Sequence, residues 1–295
     1  MRIDTMLAAG GEPAFSFEFF PPKTPAGERN LREAVDALRE LSPSFVSVTK
    51  TGASTQAQTI ELVRRIREDH GLEAAAHFTC AGATLADLRD SLARLRDSGL
   101  ENVVALRGDP PPGSAAFSVT DGGFAHASEL VELIAAEYGF CTVGACYPET
   151  HPEAPDAESD IGHLVTKVNA GASVLITNLF FDNSAFFAFV ARARDAGITV
   201  PIVPGIMPIT RADQIKRFTA IGGISIPAEL LAALDARGDD AEAVADLGVA
   251  YATLQCAELL AVGVPGIHFY TLNRSPSTRA IVSALRLMRP WEARP

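Results

Sequence analysis

Short β-rich runs and amphipathic helical segments alternate eight times along this 295-residue chain, which leaves few folds open to it. The runs fall at 14–20, 44–49, 73–79, 102–107, 141–147, 173–180, 201–206 and 266–271. Segments of helical spacing follow at 26–40, 56–69, 84–98, 126–138, 157–170, 183–196, 211–220 and 276–288. In the third segment Leu85, Leu88, Leu92 and Leu95 share one face, Thr84 stands at the N-cap and Gly99 at the stop. Strand–helix alternation covers a parallel sheet with helices. Eight repeats with no long linker point to an α/β fold of the closed (β/α)₈, or TIM barrel, type. The reading is one domain over 1–295 with an extra helical insertion at 227–262, before the last strand. A doubly wound open sheet would favour a Gly-rich first turn, and none follows Phe20. Residues 110–125, rich in Pro, Gly and Ser, read as a long loop of the functional or mobile kind.

In such a barrel the chemistry sits at the C-terminal strand ends. The first run, Phe15-Ser16-Phe17-Glu18-Phe19-Phe20, is stopped by Pro21-Pro22, so Glu18 lies close to its end. A carboxyl wrapped in aromatic rings is expected to have a raised pKa and to serve as a general acid; the alternative is an outward, solvated Glu18. Asp109 follows Arg107 and Gly108, which favour its ionised form. Separate acid and electrostatic roles for the two carboxyls stand against a structural Arg107–Asp109 ion pair at the rim. Other strand ends carry Ser47, Thr49, His77, Thr79, Tyr147, Glu149, His151, Thr177, Asn178, Tyr270, Asn273 and Arg274.

Composition narrows the function. Hydrophobic residues make up 47% of the chain and charged residues 21%, as in a globular enzyme. The net charge of −11 argues against a nucleic-acid partner. The basic pairs Arg64-Arg65 and Arg192/Arg194 fall on solvated helix faces. Cys80, Cys141, Cys146 and Cys256 lack metal spacing and read as small buried hydrophobes, so no metal is expected. The N-terminus is too weakly apolar for a signal peptide, and no run approaches the ~18–20 apolar residues of a membrane span. A cytoplasmic enzyme of small molecules, with oligomeric state open, is the expectation. GxGxxG, P-loop, GxSxG and HExxH motifs are absent.

Long segments of the chain resemble the methylenetetrahydrofolate reductase family over nearly its whole length. They include FEFFPPKT at 17–24, LEAAAHFTC at 72–80, NVVALRGDPPPG at 102–113, YPETHPEA at 147–154, PGIMPI at 204–209 and HFYTLNRS at 268–275. The resemblance implies a (β/α)₈ barrel that reduces 5,10-methylenetetrahydrofolate to 5-methyltetrahydrofolate with NADH or NADPH, usually through bound FAD. By position, Glu18 matches the acid that protonates N10 and opens the ring to an N5 iminium, and Asp109 the carboxylate beside that cation. Asn178, Gln214, Phe218, Tyr270 and Arg274 match substrate-side positions. Thr49, His77, Arg107, Gly108, Tyr147, His151, Asp160 and Lys167 match flavin-side positions.

Several departures cluster on the flavin side. Lys50 interrupts the usual Thr-Tyr-Gly-Ala, Asn178 replaces a glutamine, and His163 and Thr166 replace Asn and Arg. The loop after Asp109 is longer, and its expected tyrosine is His126. These changes weigh toward direct hydride transfer from NADH without FAD; the surviving flavin-side positions weigh toward an FAD relay. A Schiff-base lyase using Lys50 and a non-catalytic folate-binding barrel are the competing functions.

Overall fold

Each of the eight expected units forms, and the parallel sheet they build closes on itself. The computed structural model describes residues 1–50, 54–108 and 117–292. Helix α1 (Ile3–Ala8) precedes β1 (Ala14–Phe19), α2 (Pro25–Arg39), β2 (Phe45–Val48), α3 (Gln56–His70), β3 (Ala74–Thr79), α4 (Leu85–Asp97) and β4 (Asn102–Leu106). Then come α5 (Ala127–Glu137), β5 (Cys141–Cys146), α6 (Ala157–Asn169), β6 (Val174–Thr177), α7 (Asn183–Asp195), β7 (Ile202–Val203) and β8 (Gly205–Ile206). Helices α8 (Ala212–Gly222), α9 (Ala228–Asp235) and α10 (Ala241–Ala261) lead to β9 (Gly266–Tyr270) and α11 (Pro276–Met288).

Strand order is β7-β6-β5-β4-β3-β2-β1-β9-β8, parallel throughout. The outer two are halves of one seventh strand. The expected run 201–206 is divided at Pro204, which has no N–H for a ladder. Its carbonyl still accepts from His268 N–H at 3.0 Å, so the barrel closes through it. The sixth strand is also shorter than expected. After Thr177 the chain leaves the sheet, and Leu179 and Phe181 pack with Met207, Ile209, Leu230 and Leu234.

Alternation along the strands separates two cores. Phe15, Phe17 and Phe19 face the helices, whereas Ser16 and Glu18 face the barrel lumen. The lumen floor is apolar, with Phe45, Ala75, Val104, Cys141 and Val174 closed from below by Ile3. Helix α1 was not expected from the sequence. Its Ile3 N–H donates to Asn102 Oδ1 at 2.8 Å, which seats the N-terminus at the end opposite the chemistry. All four cysteines are buried and free.

The insertion at 227–262 becomes α9 and α10. By length and composition α10 is long and apolar enough to cross a membrane, contrary to the expectation that no run approaches that size. The stretch is alanine-rich and includes Asp246 and Glu258. One face, with Val244, Gly248, Ala252, Cys256 and Leu259, is buried in the fold. Of the basic pairs, Arg65 and Arg194 are exposed, and Arg64 and Arg192 are half-buried. Arg64 bonds Glu61 and Glu68, and Arg194 donates to the carbonyls of Ile198 and Val200 beyond the end of α7.

Candidate active site

The register of β1 places Glu18 beside Ser47 on β2 and Tyr270 on β9. Its Oε2 lies 3.2 Å from His77 Nε2, 3.6 Å from His268 Nε2 and 3.5 Å from the Ser47 hydroxyl. Behind His268, its Nδ1 is 2.8 Å from Ser16 Oγ. Among the described residues no hydrogen bond ends on Oε1, and the side chain keeps 18% of its surface exposed. The backbone here is tied to the turn after β9. Thr271 Oγ1 donates to Glu18 O at 2.6 Å, and Asn273 bonds both N and O of Phe20, at 3.0 and 2.9 Å. That turn needs left-handed backbone at Leu272 and Asn273, with φ of 52° and 55°.

Burial alone would raise the Glu18 carboxyl. The charge of His77 and hydrogen bonds from His268 and His77 outweigh it and hold the pKa at about 2. The expectation of a neutral Glu18 is corrected accordingly. The flanking phenylalanines lie on the other side of the sheet, and two imidazoles set its charge instead.

A cavity of about 930 Å³ opens at the C-terminal ends of β2 to β5 and along α6. Thr49 and Thr79, two residues beyond Ser47 and His77, line it, so it begins one pleat above the Glu18 cluster. Arg107, Gly108, Tyr147, His151, Asp160 and Lys167 complete seven of the eight flavin-side positions on its wall. His77 is the eighth, and it pairs with Glu18 instead of lining the cavity.

The wall is well ordered by its own contacts. Arg107 meets Glu153 bidentately at 2.5 and 2.7 Å. His151 N–H donates to Asp160 at 3.0 Å, while the ring packs edge-on against Tyr147. Burial lowers the pKa of His151 and of Lys167, whose ammonium donates to Ala145 O at 2.6 Å. Gly108 has φ +90°, and a Cβ there would come within 2.9 Å of Thr79 Cβ. Thr79 Oγ1 is buried without a partner among the described residues. The size, the cations and this free hydroxyl fit a dinucleotide.

A family profile described as methylenetetrahydrofolate reductase matches residues 2–286. The chain belongs to the methylenetetrahydrofolate reductase family. It is 40% identical over 276 residues to 5,10-methylenetetrahydrofolate reductase of Escherichia coli, covering 93% of this chain and 91% of that protein. It is also 40% identical over 300 residues to methylenetetrahydrofolate reductase (NADH) 1 of Zea mays, covering 97% of this chain and 51% of the relative. The chain thus spans about half the length of the plant and yeast relatives it matches. A structure of a Clostridium thermocellum protein that binds two copies of 5-methyl-5,6,7,8-tetrahydrofolic acid superposes with a TM-score of 0.65. It has 15% identity, with 97% of this chain and 99% of that one covered, and shows the fold alone.

The substrate-side positions that the family resemblance implies lie apart from the cavity wall. Gln214 and Phe218 are half-buried on α8, with the Arg217 guanidinium 5.4 Å from the Phe218 ring. Tyr270 reaches past Gly205 of the seventh strand to donate to Thr177 O at 2.6 Å, and burial raises its pKa well above the ordinary value. Asn178 Oδ1 accepts from Leu179 N–H at 2.8 Å, and Arg274 is exposed. Asp109 lies outside the described residues, as does part of the 110–125 loop. The partner of Arg107 found here is Glu153. His268 and Ser16 were missed in the sequence. Their signal was parity: Ser16 shares a strand face with Glu18, and His268 shares one with Tyr270.

Proposed function

We propose that this protein reduces 5,10-methylenetetrahydrofolate to 5-methyltetrahydrofolate with NADH as reductant, acting as one cytoplasmic catalytic barrel over 1–295. The observation that carries the reading is the Glu18–His77 pair at 3.2 Å, beside a cavity large enough for a dinucleotide. The Escherichia coli relative bears the same reaction in its name, and the plant relatives bear NADH.

The pair supplies the proton. Glu18 Oε1 is the oxygen left open for N10 of the folate. The Glu18 carboxylate first takes a proton from the facing His77 Nε2, 3.2 Å from Oε2, and the carboxylic acid so formed gives that proton to N10, leaving His77 neutral. The C–N10 bond then breaks and leaves an N5 iminium, which accepts hydride. Asp109 is assigned to the electrostatic support of that cation, and Asp109→Asn should slow turnover by roughly 10²–10³-fold. Unchanged turnover with lower stability would assign it to a structural ion pair.

The cavity seats the hydride source. Thr49, Arg107, Gly108, Tyr147, His151, Asp160 and Lys167 would hold either NADH itself or FAD, which when bound accepts hydride from NADH and passes it on. Lys50, Thr166 and Asn178 favour the direct route, and the seven wall positions favour the relay. The purified protein should oxidise NADH only when methylenetetrahydrofolate is present; NADH oxidation indifferent to folate would defeat the reductase reading. A colourless, FAD-independent enzyme with ternary-complex kinetics supports direct transfer. Yellow protein with ping-pong kinetics supports the relay.

A further inference from the structure

Three cations and two carboxylates line the cavity: Lys50, Arg107 and Lys167 against Glu153 and Asp160. Most of these charges already have partners. Arg107 holds Glu153 at 2.5 and 2.7 Å, Lys167 donates to Ala145 O, and Asp160 accepts from His151 N–H. Lys50 does not. Its backbone is placed by the preceding residue, whose N–H donates to Phe19 O at 2.8 Å at the end of β2. Its side chain is half-buried on the cavity wall. Among the described residues it has neither a hydrogen bond nor an ion pair, and burial lowers its pKa.

A partly desolvated ammonium without a counter-ion is stabilised by an anion brought to it. The wall carries one more positive than negative charge in a chain of net −11, so its local field also favours an anion. On α6 the Thr166 position adds no cation. Thr166 turns its hydroxyl back to Gly162 O at 3.1 Å.

We propose that Lys50 binds a phosphate of the diphosphate bridge of the dinucleotide that enters this cavity. The folate also carries anions, on its glutamate. The positions Gln214, Phe218 and Arg274 are not part of this wall, which assigns the anion at Lys50 to the dinucleotide. The inference rests on the reductase reading only in requiring that a dinucleotide enters.

The test is equilibrium binding to the whole protein, which needs no turnover. NADH is compared with 1,4-dihydronicotinamide riboside, and FAD with riboflavin, so each pair differs by the phosphate-bearing part. Lys50→Met should weaken binding of NADH, FAD or both by roughly 10–100-fold and leave both phosphate-free probes unaffected. Lys50→Arg, which keeps the charge, should retain most of the affinity. Which dinucleotide weakens identifies the occupant, and either result supports the contact. Dinucleotide affinity unchanged in Lys50→Met, or an equal loss for the phosphate-free probes, overturns it. If the wild-type protein binds neither NADH nor FAD, the reductase reading falls first and this inference with it.

Discussion

Glu18 on β1 and His77 on β3 meet inside the barrel at 3.2 Å, across the intervening strand β2. Neither residue is near the other in sequence, and each alone reads as an ordinary polar group at a strand end. Together they form a buried unit that can hold and move one proton where the folate is proposed to bind.

Replacing the carboxyl tests the acid directly. Glu18→Gln keeps the size and the hydrogen-bonding capacity but cannot give up and regain a proton. Turnover should fall by at least ~10²–10⁴-fold, with NADH binding intact. A variant that retained more than about a tenth of wild-type kcat would rule out Glu18 as the acid.

His77 should govern the acid stability of the fold. The Glu18 pKa is depressed from 4.5 to about 2, so its contribution is present above the unfolded value. It is lost as pH falls from about 4.5 through about 2. His77→Asn removes the largest charge opposing burial, and the Glu18 pKa should rise. The loss should still begin near the unfolded value of 4.5, but it should be smaller and end at higher pH than in the wild type. Urea midpoints across that range check this, and superimposable profiles for the two proteins would contradict it.

Gly205 should tolerate no side chain. A Cβ there would collide with Thr177 O and lie 2.7 Å from the Tyr270 hydroxyl that bonds it. Gly205→Ala is expected to cost about 1–3 kcal/mol, read from denaturant unfolding. A cost near zero would mean that both the Thr177 backbone and the Tyr270 ring can give way.

Asn273 positions the strand end that carries Glu18. Its side chain is buried and holds both backbone groups of Phe20. Asn273→Ala should destabilise the protein by roughly 1–3 kcal/mol, because those groups lose their partner. It should also lower kcat more than it changes NADH affinity. An equal effect on both would point to general loosening of the barrel.

Most of the architecture was legible in the sequence because its signals are local. Leu85, Leu88, Leu92 and Leu95 declare a helix by spacing. Thr84 caps that helix, accepting from Asp87 N–H while the Asp87 carboxylate accepts from Thr84 N–H. The break in the seventh strand was visible as Pro204, although its consequence was not. The two halves of that run bond to different neighbours, β7 to β6 and β8 to β9, and so complete the closure. Helix α1 was not legible, because six residues carry too little periodicity and its docking depends on Asn102 far along the chain.

By itself, the sequence determined the eight-unit barrel, the end of the barrel that bears chemistry, and Glu18 as a carboxyl at that end. Periods of 2 and 3.6 residues, and the prolines and glycines that interrupt them, act over a few neighbours and can be read without contacts. Only the tertiary structure decided the charge of Glu18. Its sequence neighbours Phe17 and Phe19 point to the opposite side of the sheet. The groups that do set its charge come from residues 59 and 250 positions away, His77 and His268. Electrostatics depends on distance in space and on solvent exclusion, and the barrel's closure creates both.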